Sequence, residues 1–288
     1  MQIIVTGILL SGTYALIALG LTLQYGVARI MNLANGETLV AGCFIAFWLF
    51  ASFAINPILG LFIIAPLAFA FNWGIYQVAL KPLVDRAKNR GQLEVDSILA
   101  TFGLMFLLQG LMISGFGGEY HSYQFLSERF EIFGSAYGLN RVVAFIAAVV
   151  IAAVLYYFLY RTRLGTAVRA VAVDPNSANL VAIDVAKVAA VTFALGGALT
   201  ACGGALLSTF YTFNASMGVT FTMKALIIVI MGGVGDVRGA VLAALVLGVA
   251  ETAVASLIDP GLTLAATYTL FILVLLFRPQ GIFGRQTS

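Results

Sequence analysis

The fold of this chain is decided by its first apolar stretch, IIVTGILLSGTYALIALGLTLQYGV, at Ile3 to Val27. The stretch contains no charged side chain, and about 20 such residues are enough for one helix to cross the hydrocarbon core of a bilayer. It is longer than the apolar region of a signal peptide, about 7 to 15 residues, and no basic residue precedes it. We therefore interpret it as a retained transmembrane helix.

The composition extends this interpretation to the whole chain of 288 residues, of which 61% are hydrophobic and only 9% charged. Soluble domains carry about 25% charged residues, and the mean hydropathy here is +1.04. A soluble enzyme, a nucleic-acid binder and a disordered protein are therefore excluded. At about 20 residues per span, we expect an all-α polytopic membrane protein, a single transmembrane domain over residues 1–288 with roughly eight to ten spanning or half-spanning helices.

Apolar runs suited to spans recur along the chain. They are Ile3–Val27, Leu39–Ala54, Ile58–Leu80, Ile98–Phe116, Val142–Tyr160, Val188–Phe210, Ala225–Val234, Ala240–Ile258 and Leu262–Phe277. Two of them, Leu39–Ala54 and Ala225–Val234, are short and are interpreted as half-spans or broken helices. Polar breaks at 32–37 and 232–239 occupy similar places in the two halves, which favours a weak internal repeat of the kind that builds a transport path.

Lysine and arginine residues indicate the orientation, because short loops rich in them stay in the cytoplasm. They cluster in two loops and the C-terminal tail: Lys81, Arg86, Lys88 and Arg90; Arg161, Arg163, Arg169 and Lys187; Arg278 and Arg285. The stretch from Gly117 to Asn140 is acidic and is placed outside. The C-terminus is thus expected in the cytoplasm, while the side of Met1 depends on the number of crossings, nine of which would put it outside.

The second basic loop, residues 161–187, is too polar to cross a bilayer. Asp174 followed by Pro175 is typical of a helix start, and the sequence predicts a short helix from Pro175 to about Ile183. Ala178, Val181 and Ala182 are spaced as one apolar face. Such a helix suits docking into a groove on a partner or lying on the membrane surface, and periodicity alone leaves both open.

The sequence contains no GxxxxGK[ST] phosphate-binding loop, so no ATP site of that kind is expected in the chain. His121 is the only histidine and has no ligand-spaced neighbours, so no metal site is expected. No catalytic residue is predicted, and the energy for any active transport has to come from elsewhere.

Acidic residues inside or beside the apolar runs are the candidates for function. Glu251 lies deep in one run, where an ionised side chain costs on the order of 2.5 to 3.5 kcal/mol; it is expected to line a path, relay protons or form a hydrogen bond across a helix interface. Glu37, with Asn32 and Asn35, either lines a cavity at a helix break or belongs to a solvated turn. Asp236 and Arg238 are expected to form a local ion pair near the interface.

Small residues mark one helix for close packing. Gly197, Ala201 and Ala205 follow each other at intervals of four, which lets helix backbones approach in lipid. We interpret this pattern as ordinary helix packing.

Four ordered blocks of sequence resemble the branched-chain amino acid ABC transporter permease family, of the LivH type, which includes amide and urea permeases. They are ALIALGLTLQYGVARIMNLANGE from Ala15, the loop block around RAVAVDPNSANLVAID from Arg169, KALIIVIMGGVGDVRGAVLAALVLGVAE from Lys224, and LVLLFRPQGIFG near the C-terminus. The resemblance implies a subunit in the bacterial inner membrane that pairs with a second homologous permease, two cytoplasmic ATPases and a periplasmic substrate-binding protein. ATP and Mg would be bound by the ATPases, and this chain would carry no cofactor.

The resemblance also assigns residues and favours docking for the short helix. It implies ATPase coupling by Arg169, Asp174, Pro175, Asn176, Ala178, Leu180, Val181 and Ile183. It implies a translocation path beside Asn32, Asn35, Glu37, Gly232, Gly233, Gly235 and Glu251. The expected substrates are branched-chain or other small hydrophobic amino acids, or else amides and urea; the alternative class is an ion-coupled secondary transporter in which Glu251 or Glu37 carries protons.

Overall fold

A computed structural model describes residues 2–87, 89–126, 128–132, 135–278 and 281–283. Lys88 and Arg285, two of the basic residues used to predict the orientation, lie outside the described residues. The helices are α1 Gln2–Ala28, α2 Asn35–Phe53, α3 Pro57–Ile75, α4 Lys81–Arg86, α5 Arg90–Phe116, α6 Leu139–Arg161, α7 Arg163–Val173, α8 Pro175–Leu180, α9 Val185–Leu207, α10 Gly218–Gly232, α11 Val237–Leu257 and α12 Thr263–Phe277. A π-helical turn, Tyr76–Leu80, joins α3 to α4, and a 3-10 turn, Pro260–Leu262, precedes α12.

Eight described segments are long and apolar enough to cross a membrane, which confirms the predicted all-α polytopic membrane fold. They are Gln2–Ala28, Asn35–Phe53, Pro57–Arg86, Gly91–Phe116, Leu139–Arg161, Val185–Leu207, Val237–Leu257 and Pro260–Phe277. The half-span predicted at Leu39–Ala54 is wrong, because the helix starts at Asn35 and includes buried polar residues that hydropathy left out. α10, with 15 residues, is shorter than the spans, as its sequence predicted.

The core forms around α1 and α9, which are the most buried of the spans. Both helices are rich in small residues, and they run antiparallel: Gly20 packs against Gly196, and Gly203 against Leu16. α2 crosses α9, where Gly42 faces the backbone of Ala201 without room for a side chain. The small-residue strip on α9 therefore serves close packing, as its spacing indicated.

The stretch predicted to lie outside contains two short strands, β1 Arg129–Ile132 and β2 Ser135–Gly138, which pair antiparallel. The sequence analysis did not predict them. The same stretch is tied to the loop before α10, since His121 and Phe213 exchange backbone hydrogen bonds of 2.7 and 3.0 Å. The rings of His121 and Phe213 in this connection both pack against Phe44 of α2.

Candidate functional site

The chain breaks its helical path between α1 and α2, inside the protein. Arg29 has a left-handed backbone, with φ of 57°, which ends α1 and turns the chain toward α2. Asn32, Asn35 and Glu37 are all at most 2% exposed. The alternative of a solvated turn is therefore wrong, and these residues lie in the interior of the bundle.

Hydrogen bonds to α9 hold this break in place. The amide nitrogen of Asn32 donates to Oε1 of Gln24 at 3.0 Å, and Nε2 of Gln24 donates to the carbonyl of Phe193 at 3.2 Å. The hydroxyl of Thr200 donates to Oδ1 of Asn35 at 3.0 Å. The break is thus fixed by side chains from two other parts of the chain.

The first turn of α10 lies beside the first turn of α2. The backbone N–H of Gly36 donates to Oγ1 of Thr222 at 2.8 Å, and this hydroxyl donates to the carbonyl of Leu33 at 3.1 Å. The carboxyl group of Glu37 packs against Gly218, at a position that any side chain on residue 218 would occupy. The first turns of α2 and α10 therefore interlock; we call this set, Gln24, Asn32, Asn35, Glu37, Thr200, Gly218 and Thr222, the helix-start cluster.

Two polar groups of the helix-start cluster have no hydrogen bond with any described residue. They are both carboxyl oxygens of Glu37 and the amide nitrogen of Asn35, and all are buried. Burying an ionised carboxylate without a partner is costly, since it loses the solvation that water provides. Glu37 is therefore best suited to this structure in its neutral form.

A second polar cluster lies about one and a half turns beyond the start of α10. Nζ of Lys224 lies 2.8 Å from Oε1 of Glu251 and donates to Oε2 at 2.9 Å. Glu251 also accepts from the hydroxyls of Tyr14, at 2.6 Å, and Thr267, at 2.5 Å. This ion-pair cluster joins α1, α10, α11 and α12 and confirms the hydrogen bond across helix interfaces that was one alternative for Glu251.

The ion-pair cluster is fully connected. Lys224 also donates to the hydroxyl of Tyr14 at 2.8 Å, and its ammonium lies over the rings of Tyr14 and Phe221 at 4.9 and 5.5 Å. Both charges are nearly excluded from solvent, with side chains 11% and 4% exposed. Buried charges are tolerated when paired and hydrogen-bonded in this way.

The structure places the three predicted path glycines at the end of α10 that is opposite Glu37 and Gly218, with Gly235 packed against Gly26 of α1. Gly232, Gly233 and Gly235 lie at the far end of α10, about 21 Å from its start at 1.5 Å per residue. There Gly232 packs on the backbone of Gly239, and the carbonyl of Gly232 accepts from Phe283 N–H at 3.2 Å. These glycines form the tight turn into α11, and their place on a path stays a prediction.

The loop 161–187 forms α7 and α8. Oδ1 of Asp174 accepts from Asn176 N–H at 3.0 Å, which gives the start of α8 the predicted capping geometry. The predicted end at Ile183 is wrong: α8 stops at Leu180, and Ala182 takes a left-handed conformation with φ of 60°. The turn after Leu180 gives Ile183 N–H a bond to the Ala178 carbonyl at 3.2 Å.

This early end changes the predicted apolar face. Ala178 is buried against the core, whereas Leu180 and Val181 are 86% and 68% exposed. Val181 and Ala182 therefore do not continue one helical stripe with Ala178. Leu180 and Val181 instead form an exposed apolar pair at the end of α8.

α7 is hydrogen-bonded to the core at Arg29, the residue at which the helical path breaks after α1. Nη2 of Arg29 donates to the carbonyl of Ala172 at 3.1 Å. The guanidinium of Arg169 lies 4.8 Å from the ring of Tyr160, which orients it at the end of α6. The loop thus contacts Arg29, which follows α1 and precedes Asn32 of the helix-start cluster.

The predicted ion pair between Asp236 and Arg238 does not form, because Asp236 caps α11. Its Oδ1 accepts from the N–H groups of Arg238 and Gly239 at 2.8 and 2.9 Å. The guanidinium of Arg238 donates to the hydroxyl of Tyr156 at 3.1 Å.

Sequence reasoning missed the partners of the acidic residues. Lys224 stands just before an apolar run and was assigned no role of its own. The signal that could have found it is a second charge embedded between Thr222 and Ala225, both buried, in a chain where charges are rare. Tyr14, Thr200, Thr222 and Thr267 carry no signal in sequence, because hydroxyl residues are common in membrane helices.

A helical membrane protein with buried polar clusters at interrupted helices has the architecture of a membrane transport protein. Residues 3–277 match the family model described as branched-chain amino acid transport system, permease component, and the chain belongs to this family. It is 30% identical to the high-affinity branched-chain amino acid transport system permease protein LivH of Escherichia coli, covering 99% of this chain and 96% of that protein.

The chain is also similar to other permease proteins. It is 33% identical to the permease protein BraD of Pseudomonas aeruginosa, over 99% of this chain and 96% of that protein. It is 26% identical to the ribose import permease protein RbsC of Bacillus subtilis over about half of each chain, 52% and 49%. No solved structure matches the chain significantly.

Proposed function

We propose that this chain is the transmembrane permease subunit of an ATP-binding cassette importer for branched-chain or other small hydrophobic amino acids. It would alternate between outward-open and inward-open forms in a bacterial inner membrane, with its C-terminus in the cytoplasm. Separate ATPase subunits would bind ATP and Mg and supply the energy, a second homologous permease would complete the path, and a periplasmic binding protein would deliver the substrate.

One observation carries this proposal: the loop that offers Leu180 and Val181 to a partner is hydrogen-bonded to the residue where α1 breaks. A push on α7 acts on Arg29 through its bond to Ala172 and from there on Asn32, Asn35 and Glu37. Coupling in proteins is carried by such contiguous contacts between elements with two arrangements. The proposed path runs beside the helix-start cluster and Glu251.

The test uses the complex reconstituted in vesicles with its ATPases. Leu180→Asp combined with Val181→Asp places charges on an exposed surface, so the fold is retained while ATPase docking weakens. We expect the ATPases to be lost on purification and ATP-driven uptake to fall at least tenfold. The matched control is Tyr120→Asp, equally exposed in the loop that precedes β1, which should leave ATPase retention unchanged; unaltered retention in the double variant would contradict the proposal.

The substrate class has its own test. Uptake of leucine, isoleucine and valine by the complex supports amino acid transport, whereas uptake of urea or short amides in their place would support the amide and urea alternative. Ion-coupled transport through Glu251 is less well supported, since both of its oxygens are already bonded to Lys224, Tyr14 and Thr267. Accumulation driven by a pH gradient in vesicles that contain this chain alone would favour that alternative.

A further inference from the structure

A groove opens on the protein surface between the end of α6, α7 and the first turns of α9. Its volume is about 260 Å³. Thr192 is one of its lining residues, and its hydroxyl is satisfied within α9 by the carbonyl of Val188 at 2.7 Å. Most of the remaining wall is apolar and includes Phe158, Leu164, Val168, Val188, Val191 and Leu195.

The groove extends from the end of α9 into the span. Lys187 stands in the first turn of α9 and Leu195 eight residues later, which is about 12 Å along the helix at 1.5 Å per residue. Because α9 is one of the candidate spans, the far end of the groove lies at the depth of lipid chains. Apolar surface at this depth is covered by hydrocarbon or by protein.

The mouth of the groove carries exposed side chains of both charges. Lys187 lines it and is exposed, and Arg161 lies one turn beyond Phe158 on α6, also exposed. Asp184 lines the mouth too, and its Oδ1 accepts from Lys187 N–H at 3.0 Å, as the cap of α9. Within the described ranges, neither the Lys187 ammonium nor the Arg161 guanidinium lies within 4.0 Å of a carboxylate, since the ion pair found there is Lys224–Glu251.

We propose that this groove is a binding site for one anionic phospholipid. Lys187 and Arg161 hold the phosphate at the membrane interface, where basic side chains attract anionic head groups. One acyl chain runs along Val188, Val191 and Leu195. The apolar wall and the cation Lys187 at the mouth match the two parts of a lipid, its acyl chain and its head group, which favours a lipid over a segment of another subunit.

The site also has a consequence for the loop. α7 forms one wall of the groove and leads directly into α8, so a bound acyl chain packs against the helix that precedes Leu180 and Val181. The lipid therefore supports the junction of α6, α7 and α9. This inference is independent of the proposed function, because it rests on the groove and its charges alone.

The test is native mass spectrometry of the full chain, purified with any subunits that stay attached to it and exchanged into nanodiscs of either phosphatidylglycerol or phosphatidylcholine with identical acyl chains. The native chain should retain one phosphatidylglycerol and little phosphatidylcholine. Val191→Trp, which fills the groove, and Lys187→Gln, which removes the charge, should each lower phosphatidylglycerol retention at least fivefold. Lys187→Arg should keep it, and Val154→Trp, on the exposed face of α6 outside the groove, is the matched control.

Three results would overturn the proposal. One is equal retention of the two lipids, or less than one phosphatidylglycerol on the native chain. Another is unchanged retention in Lys187→Gln, which alters an exposed side chain and so leaves the fold intact. The third is a cross-link from Leu195→Cys to another protein chain with a bifunctional thiol reagent, which would show that a subunit covers the groove.

Discussion

Lys224 and Glu251 form an ion pair at 2.8 Å inside the bundle, and this pair joins α10 to α11. Tyr14 from α1 and Thr267 from α12 complete the bonding of the carboxylate. Four helices therefore meet at one charged point, and the short α10 is fastened to its neighbours beside the break that begins α2.

Removing one partner of this pair should destabilise the protein strongly. Lys224→Met and Glu251→Leu each leave the opposite charge buried and alone, which costs about 3 to 5 kcal/mol. The double variant should be less destabilised than the sum of the two. The measurement is a double-mutant cycle on thermal unfolding in detergent, and additive effects would contradict the coupling.

Glu37→Gln should leave the unfolding temperature unchanged or raise it. Both carboxyl oxygens of Glu37 are buried without a described hydrogen-bond partner, so a side chain of the same shape that never ionises avoids the free-energy cost of protonating this carboxyl at neutral pH. Thermal unfolding at neutral pH measures this effect. A marked loss of stability in Glu37→Gln would mean that the ionised carboxylate is bound by a group outside the described residues.

Gly218→Ala should disturb the start of α10. The added methyl group overlaps the carboxyl of Glu37, and overpacking of this kind costs about 1 to 3 kcal/mol. Gly103→Ala on α5 is the control, because a methyl group there meets no atom within 4 Å. Shortening the neighbour with Glu37→Ala should restore part of the stability of Gly218→Ala; if it does not, the two residues do not touch as described.

Arg29→Gln should loosen the link between the loop and the core. The variant loses the hydrogen bond to the Ala172 carbonyl, 3.1 Å long, while Leu180 and Val181 remain available to the ATPases. We expect ATP hydrolysis to persist and the substrate moved per ATP to fall several-fold in vesicles. The control is Arg141→Gln. Arg141 lies at the end of α6 that is far from the loop 161–187, so this variant should leave the ratio unchanged.

The class of fold could be predicted because long apolar runs and scarce charges are visible in the sequence itself. Glu251 could be selected as a candidate because it is one of those scarce charges and lies inside an apolar run. Its partner Lys224 could not, since the contact joins residues far apart in sequence. The end of α8 was missed because the left-handed turn at Ala182 is rare for alanine and has no local signature. Glu37 remained ambiguous, since only packing shows that its turn is enclosed.

The glycine contacts of α1 restrict how the protein can move. Gly7 packs on Gly248 and Gly20 on Gly196, backbone against backbone, so α1 has little freedom to slide past α9 or α11 without separating from them. We expect these three helices to move together. Under the proposed function, switching of access then consists of these helices rocking as a whole against the second permease, with the hinges in the less buried outer helices.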